Sequence, residues 1–182
     1  AELIHKLDPH HPVVLCNLVD WHMTAMARLC PAVDIYGTNI YSRTFDPVWK
    51  KARRFFDRPV LITEYGLPAM IEGRVREDIQ AKHHRVSWGD IRDNRYGGPG
   101  IGNSIGGMIF TWSDQWALNG SAQTHDFVED AAVPGEEWFG VVSLGDGSHS
   151  PFLRQLRQSY WLYQELWADR KTEKYRDVHL RP

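Results

Sequence analysis

Pro59-Val60-Leu61-Ile62-Thr63-Glu64-Tyr65-Gly66 is the stretch of the 182-residue sequence that indicates the fold most clearly. A short aliphatic run introduced by proline is typical of a buried β-strand. This run ends abruptly at a carboxylate, an aromatic ring and a glycine. A parallel strand that presents a glutamate at its carboxyl end is where an α/β barrel places its catalytic groups. We therefore predict that Glu64 is catalytic.

The rest of the chain repeats this alternation of strand and helix. Predicted strands cover residues 13–16, 33–41, 59–64 and 105–112, and predicted helices cover residues 1–7, 22–30, 46–56, 76–93 and 152–167. The strands are continuous apolar runs, which is typical of a parallel sheet covered on both faces. The pattern therefore predicts the α/β class.

Two architectures fit this alternation, a doubly wound open sheet and a barrel. The barrel is favoured because three predicted strands end in polar or aromatic side chains. These side chains are the pairs Asn39/Tyr41, Glu64/Tyr65 and Trp112/Asp114. Four strand–helix units make half of a (β/α)8 TIM barrel, whose usual length is about 250 residues. We predict that residues 1–167 form such a half barrel and that residues 168–182 form a charged tail.

Composition narrows the possible partners. The sequence is 42% hydrophobic and 24% charged with a net charge of −2, as in one globular domain with its own core. It has no run of like charges that would favour nucleic acid or an anionic membrane surface. No apolar run approaches the roughly 20 residues that span a bilayer. We therefore expect no nucleic-acid or membrane partner.

Metal and cofactor sites are not indicated. Cys16 and Cys30 show no metal-ligand spacing and form no disulfide framework, so we predict two buried small apolar residues and leave the cellular compartment open. The adjacent histidines at 10–11 and 83–84 point in different directions on a strand or helix. The glycine-rich stretch at 97–102 precedes a strand instead of following one, unlike a dinucleotide site.

Glu64 suits glycoside hydrolysis, which uses two carboxylates that flank the scissile bond. A nucleophilic carboxylate has to stay ionised and oriented, and a phenol from Tyr41 at the end of the preceding strand can donate to it. An aromatic wall from Trp112 can pack under a sugar ring. Further candidates for sugar binding are Asn39, Asp114 and Trp116.

Three segments together resemble the barrel domain of retaining β-glycosidases. They are Val33-Asp34-Ile35 with Asn39-Ile40-Tyr41, then Pro59 to Gly66, and then Gly106-Gly107 with Trp112-Ser113-Asp114-Gln115. Residues 5–9 and 11–13 also resemble the segment that follows strand four in these barrels. The resemblance covers roughly residues 1–167 and looks closest to glycoside hydrolase family 2, the β-galactosidase and β-glucuronidase group.

The resemblance implies a role for each matched residue. Glu64 corresponds to the nucleophile, Tyr41 to the phenol that holds it, Asn39 to a sugar-binding amide, and Trp112 to the platform under the sugar. It also implies that the chain supplies roughly strands five to eight. The acid/base glutamate of these enzymes lies at the end of strand four, upstream of the present chain.

The sequence departs from the β-glucuronidases in the segment expected to hold a uronate. Those enzymes carry an Asn-x-Lys there, whereas the comparable stretch here is Glu136-Glu137-Trp138-Phe139-Gly140. An acidic loop opposes a negatively charged sugar, so we expect a neutral, β-linked sugar. A half barrel also leaves strand edges open, so we expect it to be inactive alone and to bind its missing N-terminal half or a dimer partner.

Two other interpretations remain open. The chain can be a carbohydrate-binding or structural module that kept the barrel and lost the chemistry, or a transglycosidase that passes the sugar to another sugar. Glu64 itself can be a loop carboxylate or one half of a structural ion pair.

Overall fold

The computed structural model describes residues 1–116, 118–121, 123–144 and 155–168. In chain order, the elements are α1 (Glu2–Leu7), β1 (Val14–Leu18), α2 (Met23–Leu29), β2 (Ile35–Asn39), α3 (Asp46–Phe55), β3 (Val60–Tyr65), β4 (Met70–Ile71), β5 (Arg74–Val75), α4 (Glu77–Asp93), β6 (Ser104–Ile109), a 3-10 turn (Glu136–Trp138), β7 (Val142–Ser143), β8 (Gln155–Leu156) and α5 (Gln158–Trp167).

The main sheet confirms the predicted α/β class. Its four strands follow the order β1-β2-β3-β6, and every neighbouring pair is parallel. Helices α2, α3 and α4 connect successive strands, and α5 packs against α4. Two short antiparallel pairs, β4 with β5 and β7 with β8, lie outside this sheet. The described chain is therefore a run of parallel βα units.

The last predicted helix is shorter than the sequence suggests. Residues 155–156 form strand β8, and α5 begins at Gln158. Residues 152–154 lie outside the described residues, as does the predicted tail apart from Ala168.

The prediction that every strand is buried on both faces is wrong for β1 and β6. Val14 and Leu18 are 37% and 62% exposed, and Ile105 and Met108 are 53% and 56% exposed. These two strands form the edges of the sheet, so each has a hydrogen-bonded neighbour on one side only. By contrast, β2 is buried along nearly its whole length.

Cys16 also departs from its prediction as a buried residue. It lies on β1 and is exposed, and Cys30 is only partly buried. The Cys16 thiol is 3.0 Å from the hydroxyl of Thr63 on β3, so both side chains lie on the same open face of the sheet.

The core lies between the sheet and its helices. Trp49 of α3 is completely buried among the aliphatic and aromatic residues of β2, β3 and α4. Its indole N–H donates to Asp90 of α4 at 2.9 Å, and the backbone N–H of Phe45 donates to the same carboxylate oxygen at 2.7 Å. One carboxylate thus joins α4 to the start of α3.

A buried polar chain links β3, α4 and α5. The hydroxyls of Tyr65 and Tyr163 are 2.8 Å apart, and Nδ1 of His84 is 2.8 Å from the Tyr163 hydroxyl. Burial lowers the pKa of His84 to about 3, and burial followed by the charge of Arg43 lowers the pKa of its neighbour His83 to about 4. Both imidazoles are therefore neutral at pH 7.

Within the described ranges, no helix is long and apolar enough to cross a bilayer.

These two histidines predict a loss of stability in mild acid. The unfolded chain binds protons at the ordinary histidine pKa of about 6.5, whereas the folded chain does not until pH 4 or below. The folded state therefore loses stability as the pH falls through this window, by about 2 kcal/mol per histidine between pH 7 and pH 5. Urea unfolding at both pH values measures the loss.

The matched variant is His84→Leu. Only the change in its free energy of unfolding between pH 7 and pH 5 is compared, so its stability at pH 7 can differ from that of the unmodified chain. We expect its loss between pH 7 and pH 5 to be about 2 kcal/mol smaller than that of the unmodified chain. Equal losses in the two chains would contradict the burial of a neutral His84.

Candidate active site

Tyr41 and Glu64 lie together, as their places in the sequence predict. Tyr41 follows β2, and Glu64 lies near the carboxyl end of β3, the strand beside it. The phenolic O–H of Tyr41 donates a hydrogen bond to Oε2 of Glu64. In the strand register Glu64 is paired with Asn39, so all three residues lie at the same end of the sheet.

Aromatic packing fixes the phenol of Tyr41. Its ring makes edge-to-face contacts with Phe110 and Phe139, with ring centroids 6.0 and 5.6 Å away. Burial raises the pKa of Tyr41 well above its usual range, and the hydrogen bond to Glu64 and the charge of that carboxylate raise it further. Tyr41 therefore remains a protonated donor near neutral pH and holds one oxygen of Glu64 in place.

Asn39 is oriented by its neighbours. Its side-chain carbonyl oxygen accepts from the hydroxyl of Thr63 at 2.7 Å and from the thiol of Cys16 at 3.2 Å. Both bonds use the oxygen, which directs the amide nitrogen away from these two neighbours. The arrangement suits a donor to a sugar hydroxyl, as predicted for Asn39.

A cavity of about 320 Å³ adjoins Tyr41. Its lining includes Gly66, Phe110, Glu136 and Phe139. A Cβ atom built at Gly66 would overlap the backbone carbonyl oxygen of Phe110. Glycine is therefore required here for the chain after β3 to approach the chain after β6, and this explains the glycine that ends the opening stretch.

Trp112 does not line this cavity. Its indole is 63% exposed and packs edge-to-face on Tyr160 of α5, with ring centroids 5.8 Å apart. It lines a different apolar cavity of about 290 Å³ together with Tyr163 and Trp167. The structure thus places the predicted platform between β6 and α5, in a cavity that includes neither Tyr41 nor Glu64.

Asp114 occupies a structural ion pair. Its side chain is inaccessible, and its two oxygens accept from Arg157 at 2.5 and 2.7 Å. The backbone N–H groups of Gly140 and Leu144 donate to the same carboxylate at 2.9 and 3.2 Å. A sugar cannot reach a side chain that protein donors enclose, so the geometry does not support the predicted sugar contact of Asp114.

Trp116 is likewise engaged by protein. Its indole stacks on the ring of His125, with centroids 6.1 Å apart, and His125 stacks in turn on Trp138 at 3.6 Å. The cavity beside Tyr41 does not include Trp116. The structure thus brings Tyr41, Glu64 and Asn39 together at one end of the sheet, whereas the side chains of Trp112, Asp114 and Trp116 contact other parts of the protein.

The two glutamates of the acidic loop lie in different environments. Glu137 is fully buried and accepts from the backbone N–H groups of Asn119 and Asp126 at 3.1 and 2.6 Å. Glu136 lines the cavity beside Tyr41, and its charge contributes to the raised pKa of that phenol. The electrostatic effect expected of the loop therefore depends on Glu136.

Phe110 and Phe139, whose rings contact Tyr41, were not identified from the sequence. Phe110 lies inside the predicted strand at residues 105–112, two positions before Trp112, and was interpreted as part of that strand. Phe139 lies far along the chain, in a stretch without periodicity, so no local signal identified it.

Among the described residues, no group of three histidine, cysteine, aspartate or glutamate side chains is arranged to hold a metal ion.

Comparison with known proteins relates this fold to glycoside hydrolases. The sequence matches no family model and no curated protein. The solved structure of an agarase, AgWH50C, aligns with 96% of this chain and 23% of its own at 14% identity and a TM-score of 0.61. PfGH50B aligns with 96% of this chain and 22% of its own at 16% identity and a TM-score of 0.60.

A β-glucuronidase from Bacteroides uniformis aligns with 82% of this chain and 17% of its own at 14% identity and a TM-score of 0.52. The chain thus spans about a fifth of the length of these proteins. Its parallel βα units match a fragment of glycoside hydrolase TIM barrels, and at these identities the likeness is one of fold. Because agarases and a β-glucuronidase both match, family 2 is not singled out.

The buried Asp114–Arg157 pair predicts a strong dependence of stability on Arg157. Arg157→Met should lower the free energy of unfolding by about 3–5 kcal/mol, because it leaves a carboxylate buried without its counter-charge. Urea unfolding measures this loss. The matched control is Arg53→Met, which breaks the exposed pair with Asp57 and should cost less than about 1 kcal/mol. Equal effects of the two substitutions would contradict the assignment.

Proposed function

We propose that this chain is part of the barrel of a retaining glycoside hydrolase that acts on β-linked neutral sugars. Glu64 is the nucleophile in this proposal, and Tyr41 positions it. The single observation that carries the proposal is the hydrogen bond from Tyr41 to Glu64, made at the carboxyl ends of neighbouring parallel strands beside a cavity. The likeness of the fold to glycoside hydrolase barrels supports it.

The proposed reaction has two displacements. The free oxygen of Glu64 attacks the anomeric carbon and forms a glycosyl-enzyme ester, while the bond to the leaving oxygen breaks. A second carboxylic acid gives that oxygen its proton. The same carboxylate then takes a proton from water, which attacks the anomeric carbon and releases Glu64. The second carboxylate belongs to a residue upstream of this chain in our proposal.

The substrate preference rests on charge. Glu136 lines the cavity that adjoins Tyr41, and the Glu64 carboxylate accepts the hydrogen bond from the Tyr41 hydroxyl. A sugar bearing its own carboxylate would meet two negative charges here, so the proposed sugar at the cleavage point is neutral. Asn39 supplies an amide for one of its hydroxyls.

The exposed strands suggest how the site is completed. Parallel sheets are ordinarily covered on both faces and have few open edges. Here the edge strands β1 and β6 expose Val14, Leu18, Ile105 and Met108. We propose that the N-terminal half of the barrel, or a second copy of this chain, covers these strands. The present chain then supplies roughly strands five to eight and is inactive alone.

Substitution of Glu64 in the complete protein tests the nucleophile. Glu64→Gln should lower turnover of a β-glycoside at least about a thousandfold, because an amide does not attack the anomeric carbon. Binding of an unreactive sugar analogue, measured by calorimetry, should be retained. Glu129→Gln removes an exposed carboxylate and should leave turnover unchanged. Unaltered turnover in Glu64→Gln would overturn the assignment of Glu64 as the nucleophile. Sugar binding without turnover by the unmodified protein would favour a binding module, and sugar transfer to added acceptors by the unmodified protein would indicate a transglycosidase.

Tyr41→Phe tests the positioning role separately. The ring contacts with Phe110 and Phe139 remain, but the donor to Glu64 is lost, so kcat should fall about tenfold to a hundredfold with little change in KM. Steady-state kinetics on the complete protein provide the measurement. Tyr96→Phe alters a phenol that is 91% exposed and should have no effect. A Tyr41→Phe enzyme with unchanged kcat would show that the hydrogen bond has no catalytic role.

A further inference from the structure

A second cavity, of about 500 Å³, lies against Tyr41. It is formed by the loop after β2, which contributes Tyr41, Ser42 and Arg43, and by α4, which contributes Lys82 and His83. It shares Tyr41 and Leu67 with the cavity that adjoins the Tyr41–Glu64 pair. We call this second cavity the cationic cleft. Its position makes it a neighbour of the candidate active site.

The charge of the cationic cleft is one-sided. Two of its lining side chains are cations, Arg43 and Lys82, and none of the described residues that line it is acidic. By contrast, Arg85 is paired with Glu165 and Lys50 is paired with Asp46. Among the described residues no carboxylate forms an ion pair with Arg43 or Lys82. The two cations are therefore available to an external anion.

His83 adds a polar group without adding a charge. It is 5% exposed, and its Nε2 atom has no hydrogen-bond partner among the described residues. Burial and the charge of Arg43 keep the imidazole neutral, as described above. A buried polar atom without a partner is uncommon in a folded protein and often marks a place where a ligand or water binds. This observation is independent of the two cations.

We propose that the cationic cleft binds the oxyanion of an acidic sugar, either a sulfate ester or a carboxylate, in a chain whose neighbouring unit lies at Glu64. Guanidinium and ammonium groups form their strongest hydrogen bonds with such oxyanions. Glu136 opposes a negative charge in the cavity beside Tyr41, so the acidic unit and the cleaved unit are different sugars. This inference rests on the proposed function and adds the class of substrate, an acidic polysaccharide with neutral units.

Binding of three tetrasaccharides to the complete protein carrying Glu64→Gln tests the inference. All three are β-linked, and they carry one sulfate ester, one uronate or no charge. The structure predicts that at least one of the two anionic chains binds tenfold or more tightly than the neutral chain at low salt. The preference should shrink as salt is raised, because salt screens exposed charges. If the sulfated tetrasaccharide binds more tightly than the neutral one, the oxyanion is a sulfate ester; if the uronate tetrasaccharide does, it is a carboxylate.

Arg43→Gln/Lys82→Gln should abolish the preference for the anionic chain and leave the affinity for the neutral chain unchanged. The matched control is Lys6→Gln/Arg28→Gln, which removes two exposed positive charges on α1 and α2 and should retain the preference. Equal binding of anionic and neutral chains, or a preference that survives the Arg43/Lys82 double substitution, overturns the inference. If none of the three tetrasaccharides binds, both the inference and the proposed function are overturned. If only the neutral tetrasaccharide binds, the inference about the cationic cleft is overturned and the proposed function stands.

Discussion

The arrangement of the candidate site depends on one hydrogen bond, from the phenol of Tyr41 to the carboxylate of Glu64. It joins the carboxyl ends of two strands that lie side by side in a parallel sheet. A carboxylate that acts as a nucleophile has to be ionised, accessible and held at a fixed angle. The raised pKa of Tyr41 keeps the donor protonated, and the aromatic rings around it prevent the phenol from turning away.

The packing behind this bond explains residues that otherwise have no evident role. Gly66 permits the close approach of the chain after β3 to Phe110, and Phe110 in turn contacts Tyr41. Phe139 contacts the same ring, and the segment that carries it is anchored by Asp114. That carboxylate binds Arg157 and the backbone N–H of Gly140 directly after Phe139. Asp114 thus supports the site from behind through the segment it anchors.

The sequence was most informative where structure depends on neighbours in the chain. Continuous apolar runs that alternate along the chain with helical stretches predicted the parallel βα units. The positions of Tyr41, Glu64 and Asn39 at strand ends predicted that these residues would lie close together. Contacts between distant segments left no such signal. Asp114 was predicted to bind sugar because it follows a strand, but its partner Arg157 lies in a different element. A half barrel was expected to leave strand edges open, but the apolar runs of β1 and β6 were themselves interpreted as buried on both faces, because an apolar residue has the same pattern whether or not something covers it.

In the proposed mechanism Glu64 forms a covalent bond to the anomeric carbon of a sugar. A 2-deoxy-2-fluoro glycoside with an activated leaving group tests it most directly, because such a leaving group departs without the second carboxylate. Peptide mass analysis of the complete protein after reaction should find the sugar on the peptide that contains Glu64, and Glu64→Gln should abolish the label. A label on another residue, or none while turnover of the ordinary glycoside continues, would contradict the account.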